Sequence, residues 1–495
     1  MGKSTSEYLE VERKFDVVES TVSPSFDGLS AVSRVERSPS QQLDAIYFDT
    51  PGRDLAARKV TLRRRTGGPD AGWHLKLPAG QDARTEVREP LSGNEDEVPE
   101  ALRDIVLAIV RDRPLAPVAR ISTSRTVDML RAADGTALAE FCDDQVTAQA
   151  GADGPQQEWR EWELELTEAG SRELLERLSN RLLDAGAVPA GHGSKLARVL
   201  ESASDADEPG HAEPPEDPIH RAVAGHVEEL LEWDRAVRAD LYDSVHQMRV
   251  TTRKIRSLLQ SSEGAFGISD DAWILDELRQ LAAVLGVARD AEVLAERYED
   301  ALKKLPQDLV RGPIWERLVD GAKRQYAAGL RRSLIAMRST RYFRLLDALE
   351  ALVAAEPPPP LPGEAERGPV TIESAYKKVR KAARAADEAE EDHVHDEALH
   401  RIRKRAKRLR YTAAATGADD VASSAKSVQS LLGDHQDSVV SRGHLIKVSE
   451  AAHDAGEDTF TYGLLYQLED ELARRSSDEL GAALKQLRKS VRKEL

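Results

Sequence analysis

Two residue patterns in this chain could do chemistry. The first is Glu10-Val11-Glu12-Arg13-Lys14, inside YLEVERKFDV near the start. On a β-strand side chains alternate faces, so Glu10, Glu12 and Lys14 share one face, with Leu9, Val11 and Phe15 on the other. Such alternation is ordinarily a half-solvated strand, and alone it does not separate a solvated face from a charged site. The second pattern is a repeat. HQMRVTTRKIR (246–256) and HRIRKRAKRLR (400–410) align at one offset of 154, which matches His246, Arg249, Arg253 and Arg256 with His400, Arg403, Lys407 and Arg410. The 3, 4, 3 spacing puts each set on one helix face. Seven of the eleven residues from His400 to Arg410 are Lys or Arg, and none is acidic. Like charges at i,i+4 destabilise a helix, so a bound anion accounts for this face better than solvation does.

The opposite stripes match as well. Met248, Thr252, Ile255 and Leu259 correspond to Ile402, Ala406, Leu409 and Ala413, which gives each basic helix a core side. Further along, LGVARD (285–290) matches LGDHQD (432–437) at an offset of 147, with the difference absorbed near SSEGAFGISDD. Two related helix sets facing each other would form one groove with a cationic floor.

These motifs need elements to hold them. Before residue 201 the chain reads as short alternating segments: LEVERKFDV, DAIYFDT, KVTLRRR, GWHLKLP, TEVREPL, ISTSRTVDML, TALAEFCDDQVTA and EWREWELELT. That is eight strands, enough for a barrel or sandwich. A helical stretch is expected near 98–112, and a helix, a turn and a short helical close over 171–200. Residues 201–219, rich in Pro, Ala and acids, read as a linker. After them the period is helical, with a second Pro-rich stretch at 356–369. Since the motifs repeat across that stretch, it joins two halves of one domain, about 217–355 and 370–495. The expected fold is thus α+β and multidomain: an antiparallel eight-stranded barrel with helices over 1–200, a linker over 201–216, and an all-α duplicated bundle over 217–495.

Composition narrows the function. The chain has 495 residues and a net charge of −17, which argues against general nucleic-acid binding. Residues 1–205 carry 26 Lys+Arg and 36 Asp+Glu; the rest carry 44 and 51, so neither half is basic and any anion site is a local cluster. The single cysteine, Cys142, excludes a disulfide framework and fits a reducing cytoplasm. No apolar run approaches the ~18–20 residues of a membrane helix, and MGKSTSEY has no signal-like apolar core. No Walker-type glycine loop is present.

The helical half resembles the CHAD family, the histidine-containing helical module with internal duplication. The resemblance implies a pseudo-symmetric helical pair that binds inorganic polyphosphate in a basic groove. It carries this role to His246, Arg249, Arg253, Arg256, His400, Arg403, Lys404, Lys407 and Arg410, and to Arg289 in LGVARD. The copies differ in charge, because Val250 stands where the second has Lys404.

With that, the opening strand reads differently. ExExK near the start, KVTLRRR, WHLK, RTEVREP, ARISTSR, EWELEL and HGSK, in this order, resemble the CYTH or triphosphate-tunnel family over residues 7–200. The resemblance implies a barrel whose carboxylates Glu10, Glu12, Glu163 and Glu165 hold Mg²⁺ or Mn²⁺. Lys14, Arg63, Arg65, Lys76, Arg120, Arg125 and Lys195 would bind phosphate groups, with Glu10, Glu12 and Lys14 nearest the chemistry. Hard divalent ions prefer carboxylate oxygens, and Arg meets phosphate oxygens bidentately, so these residue types suit a triphosphate. Arg64, Glu161 and Arg88 read as surface or salt-bridge residues, and Asp143 as either a barrel carboxylate or a solvated turn. The implied activity is metal-dependent hydrolysis of inorganic triphosphate, in the cytoplasm or at polyphosphate granules, with no specific nucleic acid and no membrane as partner. Adenylate cyclisation, thiamine triphosphate hydrolysis and a non-catalytic polyphosphate binder are the alternatives.

Overall fold

A computed structural model describes residues 6–91, 97–202, 218–261, 266, 272–355, 371–388 and 392–495. The expected linker from 203 on, the Pro-rich stretch at 356–369 and most of SSEGAFGISDD lie outside the described residues. The chain divides into two compact units, one of 1–215 with 231–241 and 338–347, the other of 216–230, 242–337 and 348–495.

The first unit is built on ten strands: β1 (Ser6–Val17), β2 (Arg34–Arg37), β3 (Gln41–Asp49), β4 (Thr61–Thr66), β5 (Gly72–Pro78), β6 (Ala83–Glu89), β7 (Ala116–Arg131), β8 (Ala137–Ala150), β9 (Gln156–Leu166) and β10 (Val188–Pro189). Eight of them run β1-β6-β5-β4-β3-β7-β8-β9 and close because β9 pairs with β1. β2 adds to β7 and β10 to β1 outside that ring. All pairings are antiparallel, and the eight ring strands are the eight alternating segments of the sequence.

Alternation then decides what lies inside. On β1, β8 and β9 the apolar set Phe15, Phe141, Trp162 and Leu164 points outward and is buried by Leu174, Leu175, Leu178 and Leu182 of the helix Arg172–Asp184. The polar set points inward. One end of the interior is filled by a second helix, Lys195–Glu201, whose Leu196, Val199 and Leu200 pack on Ala45, Tyr47, Ile121 and Ala148. Ser194 caps that helix by accepting from the Ala197 N–H, which sets Lys195 on its first turn at the edge of the polar interior.

In the second unit, the basic segments lie on the helices Ser244–Ser261 and Asp392–Ala415. Each packs on a longer helix, Trp273–Lys304 and Asp419–Asp454 respectively, and those pack in turn on Gly321–Met337 and Phe460–Glu494. The predicted core stripes, Met248, Thr252, Ile255 and Leu259 with Ile402, Ala406, Leu409 and Ala413, are all buried. Tyr298, Leu302 and Ile314 share a core with Leu445, Tyr462 and Leu465, so the two repeats are joined through one apolar cluster.

Candidate functional site

Register builds the tunnel one cross-strand pair at a time. On β1 and β9, Glu12 stands opposite Glu165, Lys14 opposite Glu163 and Asp16 opposite Glu161. On β8 and β9, Glu140 faces Glu165, Cys142 faces Glu163 and Asp144 faces Glu161. Directly opposed residues project to the same side of a sheet, so these form one acidic wall. The facing wall is cationic. Arg63 is paired with Tyr47 and His74, Lys76 with Thr61 and Glu86, and Arg125 with Gln41 and Asp144. A cavity of about 420 Å³ lies between them and is lined by Glu10, Glu12, Lys14, Arg63, Arg65, Lys76, Arg125, Glu163, Glu165 and Lys195 together.

Arg120 is not among them. It lies five positions before Arg125 on the same strand, an odd separation, and so faces the other way, opposite Ile46 and Gln149. Its side chain is exposed. The expectation that both arginines line the tunnel is corrected to Arg125 alone.

Several tunnel residues escaped the sequence reading. Asp144 is the inward carboxylate of FCDDQV, while Asp143 faces out and holds Arg160 at 2.6 Å. Glu161 is buried in the wall with Glu163 and Glu165 and is no surface residue; its even spacing from them was the available signal. Arg84, Glu86 and Arg88 line the cavity from β6. Glu86 accepts from His74 at 2.8 Å, and His74 in turn reaches the Asp70 carbonyl at 2.9 Å. Burial drives His74 down to about 4, so it acts as a neutral orienting group. Asp70 pairs with Arg65, which ties the β4–β5 turn to the tunnel.

The charges are tightly interlocked. Glu163 accepts from Lys14 at 2.7 Å, Lys195 at 2.7 Å and Arg125 at 2.5 Å. Burial alone would raise its pKa; the three cations hold it well below the usual range. Burial also works to raise Glu12, yet Lys14 and Lys76 bring it to about 2. Lys195 sits within 2.8 Å of Asp144 and 2.7 Å of both Glu161 and Glu163, so its three N–H donors are all engaged by carboxylates. Oxygens of these three acids lie within 4.8 Å of one another, a spacing suited to a cation, and the Lys195 ammonium sits among them.

A second acidic corner has a different balance. Glu165 is pushed up to about 7, first by burial and then by Glu10, with Glu12 and Glu140 adding repulsion. Glu10 is held by Lys76 at 2.5 Å, and Glu12 by Lys14 at 2.7 Å. Crowded carboxylate oxygens without equal positive charge are the donor set a hard divalent ion takes, so these residues fit Mg²⁺ or Mn²⁺.

In the helical unit the two basic faces converge. Lys407 is depressed to about 7, first by burial and then by Arg253, Arg410, Arg403 and Arg249, cations from both repeats. Arg253 is likewise lowered by burial, with Arg249 and Arg403 adding to it. Lys407 and Arg410 also lie over the Tyr411 ring, at 5.6 and 5.0 Å. Lys404 is exposed and Arg256 half-buried. Burial and neighbouring cations lower His246 and His400. Arg289 is differently placed, turned onto Glu292 at 2.8 Å and Asp243 at 3.6 Å.

No helix among the described residues is long and apolar enough to cross a membrane. The CYTH domain pattern matches residues 9–191 and the CHAD domain pattern residues 221–446. Two Mycobacterium tuberculosis proteins, uncharacterized protein MT2285 of strain CDC 1551 / Oshkosh and uncharacterized protein Rv2226 of strain ATCC 25618 / H37Rv, are each 66% identical over 502 residues, covering 98% of both chains. Among solved structures, the CHAD domain of the plant Ricinus communis is 22% identical, with a TM-score of 0.41, over 54% of this chain and 90% of its own. A putative adenylyl cyclase from Hippeastrum, HpAC1, described as having a dominant triphosphatase activity, is 17% identical with a TM-score of 0.25, over 40% and 97%. CYTH domains are metal-dependent tunnel enzymes acting on triphosphate-type substrates, and CHAD domains are associated with polyphosphate. The chain belongs to the family of proteins in which a CYTH tunnel domain is followed in one polypeptide by a CHAD helical domain.

Proposed function

We propose that the tunnel hydrolyses inorganic triphosphate to pyrophosphate and phosphate with Mg²⁺ or Mn²⁺, and that the helical domain holds inorganic polyphosphate. The observation behind this reading is the acidic β1–β8–β9 wall facing Arg63, Arg65, Lys76 and Arg125 across one closed barrel. A bound divalent ion would supply Lewis-acid polarisation of a phosphoryl oxygen. Glu12, Glu163 and Glu165 would hold the main ion, and Glu10 would help with a second ion or the attacking water. Arg63, Arg65, Lys76 and Arg125 would neutralise phosphate oxygens. Lys14 has one N–H left after Glu12 and Glu163 and would donate it to substrate. Lys195, saturated by three carboxylates, would act by fixing their positions instead of binding phosphate directly. Binding to a polyanion store would place the protein in the cytoplasm, at polyphosphate granules.

Product analysis tests this. Purified protein with Mg²⁺ or Mn²⁺ is given triphosphate, ATP or thiamine triphosphate. Equal phosphate and pyrophosphate from triphosphate, in preference to the other two, is the expected result. Cyclic AMP or thiamine diphosphate as the main product would replace the substrate assignment, and no turnover with any of the three would favour a binding-only tunnel.

The strand register makes a second prediction. Arg65→Ala removes a tunnel cation and is expected to raise KM about tenfold or more, the order of one charge-assisted hydrogen bond to phosphate. Arg64→Ala, on the opposite face beside Trp73, should change melting temperature and leave KM within about twofold. Steady-state kinetics of the two variants check it, and a larger KM effect at Arg64 would mean a register error of one residue.

A further inference from the structure

The glycine shared by LGVARD and LGDHQD stands in mid-helix both times: Gly286 within Trp273–Lys304 and Gly433 within Asp419–Asp454. Glycine is a poor helix former, and neither residue has the positive φ that would call for it. What excludes a side chain is an arginine from the basic helix. A Cβ on Gly286 would lie 3.3 Å from Nη2 and 3.4 Å from Cζ of Arg249. A Cβ on Gly433 would lie 3.2 Å from Nη2 and 3.7 Å from Cζ of Arg403. In the sequence the basic helices repeat at 154 and the LG motifs at 147, as separate matches; in the fold each basic helix meets its own LG motif, and the same arginine–glycine pairing occurs twice.

Each pairing has an acid beside it. Arg249 donates to Asp290 at 3.3 Å, four residues beyond Gly286. Asp437, four beyond Gly433, lies in the field of Arg403. Both seated arginines act on the same ammonium, that of Lys407, and so look into one cationic cluster.

We propose that Gly286 and Gly433 are positioning residues: paired seats that hold the Arg249 and Arg403 guanidinium groups against the second helix of each repeat, so that both address one polyphosphate chain. The proposal rests on the polyphosphate reading above. A seat of this kind lowers the side-chain freedom that a long cation would otherwise lose on binding. Seated in this way, each guanidinium has only a short backbone surface beneath it, which leaves its remaining N–H groups for the ligand.

The test uses the full chain, inorganic polyphosphate of defined length as probe, and Gly286→Ala, Gly433→Ala, Gly286→Leu and Gly433→Leu with their double combinations. Alanine shifts the guanidinium by a few tenths of an ångström and should weaken binding by about two- to threefold. Leucine fills the seat and should weaken it about tenfold, as expected when one arginine no longer reaches its phosphate, with the salt dependence reduced by about one unit of slope. The alanine variants should melt no lower than wild type, since alanine is the better helix former. In an Arg249→Ala background, Gly286→Leu should add no further weakening; a purely structural glycine would still show one. Unchanged binding in all glycine variants, or a full additional weakening in the Arg249→Ala background, overturns the seats while the polyphosphate reading stands. Failure of wild type to bind polyphosphate at all overturns both.

Discussion

Glu163→Gln is expected to reduce triphosphate turnover by about 10³-fold or more at saturating Mg²⁺ or Mn²⁺, and to lower the melting temperature as well. The catalytic part follows from charge: a proposed metal ligand becomes neutral, and a loss of several kcal/mol of transition-state stabilisation corresponds to a rate loss of this order. The stability part follows from position. Glu163 is the acceptor common to Lys14, Lys195 and Arg125, and a neutral amide leaves three buried cations undercompensated. Breaking a buried ion pair costs about 3–5 kcal/mol when the partner charge remains. Asp144 and Glu161 still hold Lys195, and Glu12 still holds Lys14, so the barrel should remain folded at room temperature. Thermal melts and turnover measured on the same preparation decide it. Wild-type turnover in a folded Gln variant would remove Glu163 from the metal site.

The helical domain should show the other large effect. Arg403→Glu combined with Lys407→Glu is expected to weaken polyphosphate binding at least ~100-fold, because two cations of the convergent cluster become anions beside a polyanion. The matched change at Arg249 and Arg253 should act similarly, as both repeats surround Lys407.

Lys407 also sets the pH response. Its folded-state pKa is lowered from 10.5 to about 7, and a bound polyanion favours the charged form. Affinity should therefore hold level just below pH 7 and fall as pH rises above it. The free domain should do the reverse and gain stability between about 7 and 10.5, where the unfolded chain binds the extra proton. Histidine alone would place the change near 6.5, but His246 and His400 are shifted lower and contribute only in more acid solution. Lys407→Arg keeps the charge at all these pH values and should flatten the profile above 7. A profile unchanged by that substitution would assign the titration to another group.

Local periodicity carried much of this protein's architecture. Alternation at period two marked all eight ring strands, and the 3, 4, 3 spacing of His246, Arg249, Arg253 and Arg256 marked a helix face, because both signals depend only on neighbours along the chain. Parity on a single strand was also legible: Glu161 belongs with Glu163 and Glu165, and Arg120, five positions from Arg125, does not belong with it. The choice between Asp143 and Asp144 was not, since it depends on which residues of β9 they oppose. Lys195 reads as a phosphate ligand in HGSK; only its place on the plugging helix brings three acids from β8 and β9 onto one ammonium. The depressed Lys407 and the glycine seats likewise arise only where separate helices come together. Residue type and spacing thus determined the elements and the charge each could present. Which charges meet was decided by the tertiary structure, because burial and Coulomb interaction depend on distance in space, and chain folding alone sets that distance.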